Sequence, residues 1–221
     1  MPIRYKFARM KVPKIWNSEN ELISDLSIDW EARNLEAISS EIDWRTTIRC
    51  AVGPNTFRAF RNLPNPPSQV FRDWALDALV RRGYFDRLKS VRTQNDYDMW
   101  LLELVKDLRK RWKHRMAHSM PFGASYKLPN LLMKQVCQRL SPSHSKRVTK
   151  FLHIALDRYT LAGIRNFIML PGGRIISKTA SMGAIKTEQE YRGLQEGMRK
   201  LAKRGGVPPI AYDYLAWDAR H

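Results

Sequence analysis

Apolar residues recur at intervals of three and four over most of the chain, the spacing that gives a helix one buried face. Ser68 is expected to cap a helix with Phe71, Trp74, Ala75, Ala78 and Leu79 inward, closing at Gly83. A longer helix is predicted from about Asp96, with Tyr97, Trp100, Leu101, Leu104, Val105, Leu108 and Trp112 on its stripe. Leu128, Leu131, Leu132 and Val136 mark a third pattern, and Leu161, Ile164, Phe167 and Ile168 a fourth. Thr187-Glu188-Gln189-Glu190 reads as a capping box opening a helix that turns Tyr191, Leu194, Met198 and Leu201 inward. Pro208-Pro209 starts a last short helix with Tyr212, Leu215 and Trp217. Val52 and Ile175-Ile176 are the only strand signals, and both are short. The fold class expected is all-α. Leu-Pro-Asn-Pro-Pro-Ser after Asn62 is a stiff connector. It divides an N-terminal segment, 1–66, from a helical core, 67–221.

Charge changes this picture more than composition does. The 221 residues carry 39 Lys and Arg against 21 Asp and Glu, a net charge of +18. Residues 17–43 run against that balance, with Glu19, Glu21, Asp25, Asp29, Glu31, Glu36, Glu41 and Asp43 facing a single Arg33. The rest of the chain is therefore at +25. A folded chain so basic calls for a polyanion, nucleic acid first, and the acidic stretch reads as a brace turned away from it, or as an ordinary solvated helix face. Lys106, Arg109, Lys110, Arg111, Lys113 and Arg115 crowd the end of the long helix. The helix dipole favours cations there, but six exceed what capping needs, so nucleic-acid contact is expected, with Arg109, Arg111 and Lys113 as its centre.

There is no run of eighteen apolar residues, no export signal and no lipidation signature. A cytoplasmic protein with no membrane partner is expected. Cys50 and Cys137 are too few for a four-cysteine metal or iron–sulfur site and are expected to be free thiols. No metal and no cofactor is expected, and no phosphate-binding loop is found; Pro171-Gly172-Gly173-Arg174 reads as a turn.

The stretch richest in chemistry is Phe122-Gly123-Ala124-Ser125-Tyr126-Lys127, a glycine-containing turn leading into an apolar helix with Lys127 in its first turn. Thirty residues on, Asp157 follows an apolar run and opens the next helix. Spacing alone leaves Asp157 an N-cap and Lys127 an ordinary helix-start lysine.

The order of turn, Lys, amphipathic helix, then apolar run and Asp opening a helix resembles the helix-hairpin-helix DNA glycosylase superfamily. The resemblance covers about 68–170 and says nothing of 1–60. The chain lacks the Gly-x-Gly hairpin turn and any C-terminal four-cysteine cluster. It is more similar to archaeal 8-oxoguanine DNA glycosylases, and to bacterial antiphage glycosylases acting on glucosylated cytosines. The resemblance implies a two-lobed helical protein with Lys127 and Asp157 catalytic and double-stranded DNA carrying a modified base as partner. A carboxylate beside the sugar stabilises the positive charge that builds as the base leaves. A neutral Lys127 amine, favoured by burial or by Lys134 on the helix surface, would attack the sugar; a water nucleophile would leave a plain abasic site.

The target base must leave the duplex. Trp217, Tyr212, Trp16, Asn130 and Arg158 are candidates for its pocket, though the aromatic ones are equally suited to the core. Backbone N–H groups of Gly123, Ala124 and Ser125 are expected to hold phosphate, with Lys134 adding charge. Arg158 alternatively pairs with Asp157, and His153 at i−4 is expected to support that aspartate. Asn130, Gln135, Arg158, Arg165 and Asn166 make a polar surrounding that favours a glucosylated hydroxymethylcytosine of phage DNA over 8-oxoguanine. Two other classes stay open. One is a basic DNA-binding module without catalysis. The other is a ribonuclease, since Arg109-x4-His114 and Arg111-x6-His118 resemble the spacing of HEPN ribonucleases.

Overall fold

The structure, a computed structural model, describes residues 13–33, 42–60 and 62–218. Glu36 and Glu41 of the acidic stretch lie outside the described residues, as does the chain before residue 13. The described residues are all-helical. Ten α-helices follow in order: α1 Glu19–Ala32, α2 Trp44–Ala51, α3 Pro67–Leu76, α4 Tyr84–Lys89, α5 Gln94–Met116, α6 Phe122–Val136, α7 Pro142–Val148, α8 Arg158–Ile164, α9 Glu188–Arg204 and α10 Ile210–Asp218. The only β-type pairing among them is an isolated bridge between Leu170 and Arg174.

Most helix ends follow from local chemistry. Thr93 caps α5 and Asp96 returns the bond to its backbone, while Thr187 and Glu190 do the same for α9. Gly83, at φ +69°, ends the helical run that α3 continues through a π-turn over Asp77–Arg81. Ser68 is not the cap of α3: Pro66 takes that position and Pro67 the first turn, where a missing N–H costs nothing.

The helices pack in two groups with α6 between them. α2, α3, α4 and α5 pack among themselves, and α6 lies on α2 and α5. α1, α8, α9 and α10 form the other group. In the first, Trp74, Tyr97, Leu104 and Trp112 are fully buried, and Trp74 Nε1 donates to Asp107 at 2.6 Å. In the second, Trp16 stacks obliquely on Tyr212 and donates from Nε1 to Asp25 at 2.7 Å. The acidic helix α1 packs on α9 and α10, with Glu19 paired to Arg204. No helix among the described residues is long and apolar enough to cross a membrane. Cys50 is exposed, Cys137 buried, and both are free.

Candidate active site

Helix α6 starts earlier than the turn-forming look of its residues suggests. The hairpin turn is 117–121, where Ala117 takes the left-handed conformation at φ 54° after α5, and α5 packs against α6. Phe122–Ser125 is the first turn of α6, so Lys127 falls in its second. Gly123 is required there by close approach, because a Cβ would sit 1.8 Å from the Met182 carbonyl oxygen. Gly123, Ala124 and Ser125 are buried under the 182–185 turn, and the Ser125 amide bonds Pro121. The expected phosphate site on these amides is therefore corrected: the helix start is covered.

Lys127 and Lys134 are seven positions apart, two helical turns, so both leave the same face about 10 Å apart. Both find a carboxylate of the other helix group. Lys127 Nζ lies 3.2 Å from Asp157 Oδ2, both side chains buried. Lys134 Nζ lies 2.7 Å from Asp213 Oδ2 and over the Tyr214 ring, 3.6 Å from its centroid. Lys134 is thus not on the helix surface, as expected for a DNA contact, but held in a nearly buried ion pair.

Asp157 divides its two oxygens between tasks. As N-cap of α8 it accepts through Oδ1 from the Tyr159 and Thr160 amides at 2.8 and 3.2 Å. Thr160 Oγ1 accepts in return from the Asp157 amide at 2.8 Å. Oδ2 is left facing Lys127. The preceding residues are in no helix and are fixed from the side. Gln195 clasps Ile154 by both amide groups, accepting from its N–H at 3.0 Å and donating to its carbonyl at 2.9 Å. Asn130 Nδ2 donates to the same carbonyl at 3.1 Å, and Asp213 Oδ1 accepts from the Ala155 amide at 3.2 Å.

His153 does not support Asp157. Residues 152–156 are in no helix, so the i, i+4 spacing does not bring His153 to Asp157. His153 Nε2 is 2.9 Å from Asp98 Oδ1, and Nδ1 is 2.8 Å from the Tyr191 hydroxyl, which accepts from Asn130. With Asp98 accepting from Nε2–H, Nδ1 accepts from Tyr191. Burial pulls the imidazole below its ordinary range, against the opposing pull of Asp98.

The remaining candidates are scattered. Tyr212 is core, its hydroxyl donating to the Thr160 carbonyl at 2.6 Å, and Trp16 is core beside it. Trp217 is half-buried against Tyr159, ring centroids 5.5 Å apart. Asn130 spends both amide hydrogens on Ile154 and Tyr191. Arg158 is exposed and leaves the Asp157 carboxylate to Lys127. Arg109 and Lys113 are exposed on α5, whereas Arg111 is half-buried and 3.3 Å from Asp77. Arg109 is also close enough to act on the Tyr126 hydroxyl, next to Lys127 in sequence, which burial pushes up to about 12. Beside Lys134 opens a cavity of about 490 Å³ lined also by Trp30, Tyr214, Gln138, Thr149 and Lys150. No cluster of three or more metal-binding side chains occurs among the described residues.

Asp213, Gln195 and Tyr191 escape sequence reasoning. Each sits at an inward position of a helix, where nothing local separates a site residue from a satisfied core polar group. An all-helical chain that gathers Lys127 and Asp157 in one buried pair defines a class of site, a lysine–carboxylate centre. Comparison with families of known proteins, with curated proteins and with solved structures finds no match that would place it further.

Proposed function

We propose that the protein is a DNA N-glycosylase of helix-hairpin-helix type, with α5 and α6 as the hairpin and the two helix groups as its lobes. One observation carries the reading: Lys127 and Asp157, thirty residues apart, meet at 3.2 Å where the two groups face each other. The geometry suits nucleophilic displacement. Asp157 Oδ2 takes a proton from the Lys127 ammonium, and the freed Nζ lone pair attacks C1′ of the nucleotide. The C1′–N bond breaks with its electron pair leaving on the base, which takes the proton that Asp157 had received and so restores the carboxylate. The carboxylate, held by its cap, faces the positive charge that builds on the sugar. Opening of the sugar ring then gives a Schiff base on Lys127, the route to strand cleavage.

The polar residues expected to receive a glucosylated cytosine are not gathered: Asn130 is pinned, and Arg158 and Asn166 are exposed. The support for a bulky base comes instead from the cavity beside Lys134, which Lys127 and Asp157 do not line but which lies two turns along α6 from Lys127 and offers Gln138, Thr149 and lysines to sugar hydroxyls. Glucosylated hydroxymethylcytosine in phage DNA is accordingly the favoured substrate, with 8-oxoguanine the alternative.

The test is borohydride trapping on three DNAs: glucosylated phage DNA, unmodified phage DNA and an 8-oxoguanine duplex. A covalent adduct is expected with a modified DNA and none with Lys127→Gln. Asp157→Asn keeps the cap and loses the charge, so a folded variant at least a hundredfold slower is expected. Base release unchanged in both variants would refute the site. DNA binding without release in any sample would favour a non-catalytic module, and RNA cleavage lost in His114→Ala the ribonuclease.

A further inference from the structure

Between α8 and α9 runs a connector whose sequence is one-sided. Residues 165–187 carry Arg165, Arg174, Lys178 and Lys186 and no Asp or Glu. It ties the two catalytic elements together. It leaves α8, whose N-cap is Asp157, and its 182–185 turn lies on Gly123, at the start of the helix that bears Lys127.

Midway it makes a tight turn. The Leu170 amide donates to the Arg174 carbonyl at 2.9 Å, and the Gly173 amide to the Leu170 carbonyl at 3.1 Å. Gly172 and Gly173 both lie at positive φ, +77° and +75°, which a side chain would resist. The base of the turn is anchored: Ile168, Leu170 and Ile176 are buried, and Ile168 packs so closely on Gly197 of α9 that a Cβ there would sit 2.8 Å away. Arg174 pairs with Glu190, at the foot of α9.

Two large apolar side chains on this turn are not anchored. Met169 is 66% exposed and Ile175 75%, the two most solvent-exposed large hydrophobics of the turn and its surroundings. Leu170 pairs with Arg174 by a single isolated bridge, and Met169 and Ile175 flank that bridge, one on each side of the turn. Single exposed hydrophobics are ordinary; two that flank one tight turn, in a connector with cations and no acidic residue, are not.

We propose that this tip is a wedge for duplex DNA, with Met169 and Ile175 entering the base stack as the target nucleotide leaves it and Lys178 and Lys186 holding flanking phosphates. The proposal rests on the glycosylase reading. DNA supplies what each part lacks: anions for uncompensated lysines and an apolar gap between bases for the pair. Anchoring on α8, α6 and α9 couples the wedge to the position of Asp157 and Lys127.

The experiment uses a duplex with a tetrahydrofuran abasic analogue, which no glycosylase can cleave, flanked by 2-aminopurine. The wild-type chain is expected to raise 2-aminopurine fluorescence several-fold on binding. The Met169→Ser/Ile175→Ser variant should lose most of that rise, while its affinity for undamaged duplex changes less than about threefold and its helical circular dichroism is kept. A variant that unstacks as well as wild type overturns the wedge. So does a wild-type chain that binds without any rise, or a variant whose only change is loss of self-association in sedimentation. Base release by wild type is scored separately on the modified DNAs. Release with an unimpaired variant sinks the wedge alone, and unstacking lost in the variant without release by wild type sinks the glycosylase reading alone.

Discussion

His153 shows how one buried residue sets the response of the fold to acid. Its ring is enclosed by Asp98, Tyr191, Gln94 and Arg199, with Arg192 adding further positive charge. Burial holds the imidazole below its ordinary value, so between the two values the unfolded chain binds a proton that the folded chain declines. Stability is then unaffected above about pH 6.5 and falls as pH drops through that value. Asp98 acts only at lower pH: burial raises its carboxyl, His153, Gln94 and Arg199 together outweigh that, and the net value lies below the usual carboxylate range. The urea midpoint of the wild type is expected to fall from pH 7.5 to pH 5.5 by more than that of His153→Gln. Equal losses in the two proteins would show that this imidazole does not govern the slope. The same residue marks a limit of sequence reasoning. An i, i+4 neighbour of Asp157 faces it only on a helix, and the segment joining them is not helical.

At the scale of elements, packing decides what local signals leave open. Periodicity and capping boxes made α5, α9 and α10 legible within a few residues, because those helices carry their own start signals. The start of α6 was not legible. Gly123 and Ser125 look like turn formers, and only the carbonyl of Met182, about sixty residues away, explains the glycine. Gly163 in α8 is a second such position. A Cβ there would stand 2.3 Å from the Tyr212 hydroxyl and 2.5 Å from the Trp16 ring, both core groups with fixed partners. Gly163→Ala gains helix propensity but must push α8 off α10, so a net loss of about 1–3 kcal/mol is expected in urea unfolding. A variant as stable as wild type would mean that the α8–α10 contact yields easily.

For the whole molecule, the surplus charge has a measurable footprint. Binding that neutralises about five phosphates gives a log–log salt slope near −4.5. A slope shallower than about −2 would contradict that footprint. Arg109→Ala with Lys113→Ala should flatten it by about 1.8, since both side chains are exposed. Arg111→Ala should do less, because its guanidinium is partly committed to Asp77. Fold class was legible from apolar spacing, which many residues report together. The pair of Lys127 and Asp157 was not legible from spacing: a contact across thirty residues leaves no local trace, and only the resemblance joined the two. The pairing of Asp213 with Lys134 has no local trace at all, which is why the sequence pattern puts that lysine on the helix surface.

The clasp on residues 154 and 155 has a consequence for motion. Their amides belong to no helix, yet both end on buried side-chain oxygens, Gln195 Oε1 and Asp213 Oδ1. Deuterium can reach them only when α9 or α10 comes away, not by fraying of a local turn. Ile154 and Ala155 should therefore exchange as slowly as amides in the middle of α9, and Gln195→Ala should speed Ile154 well ahead of Ala155. The splint that aims Asp157 would then rank among the last parts of the chain to open.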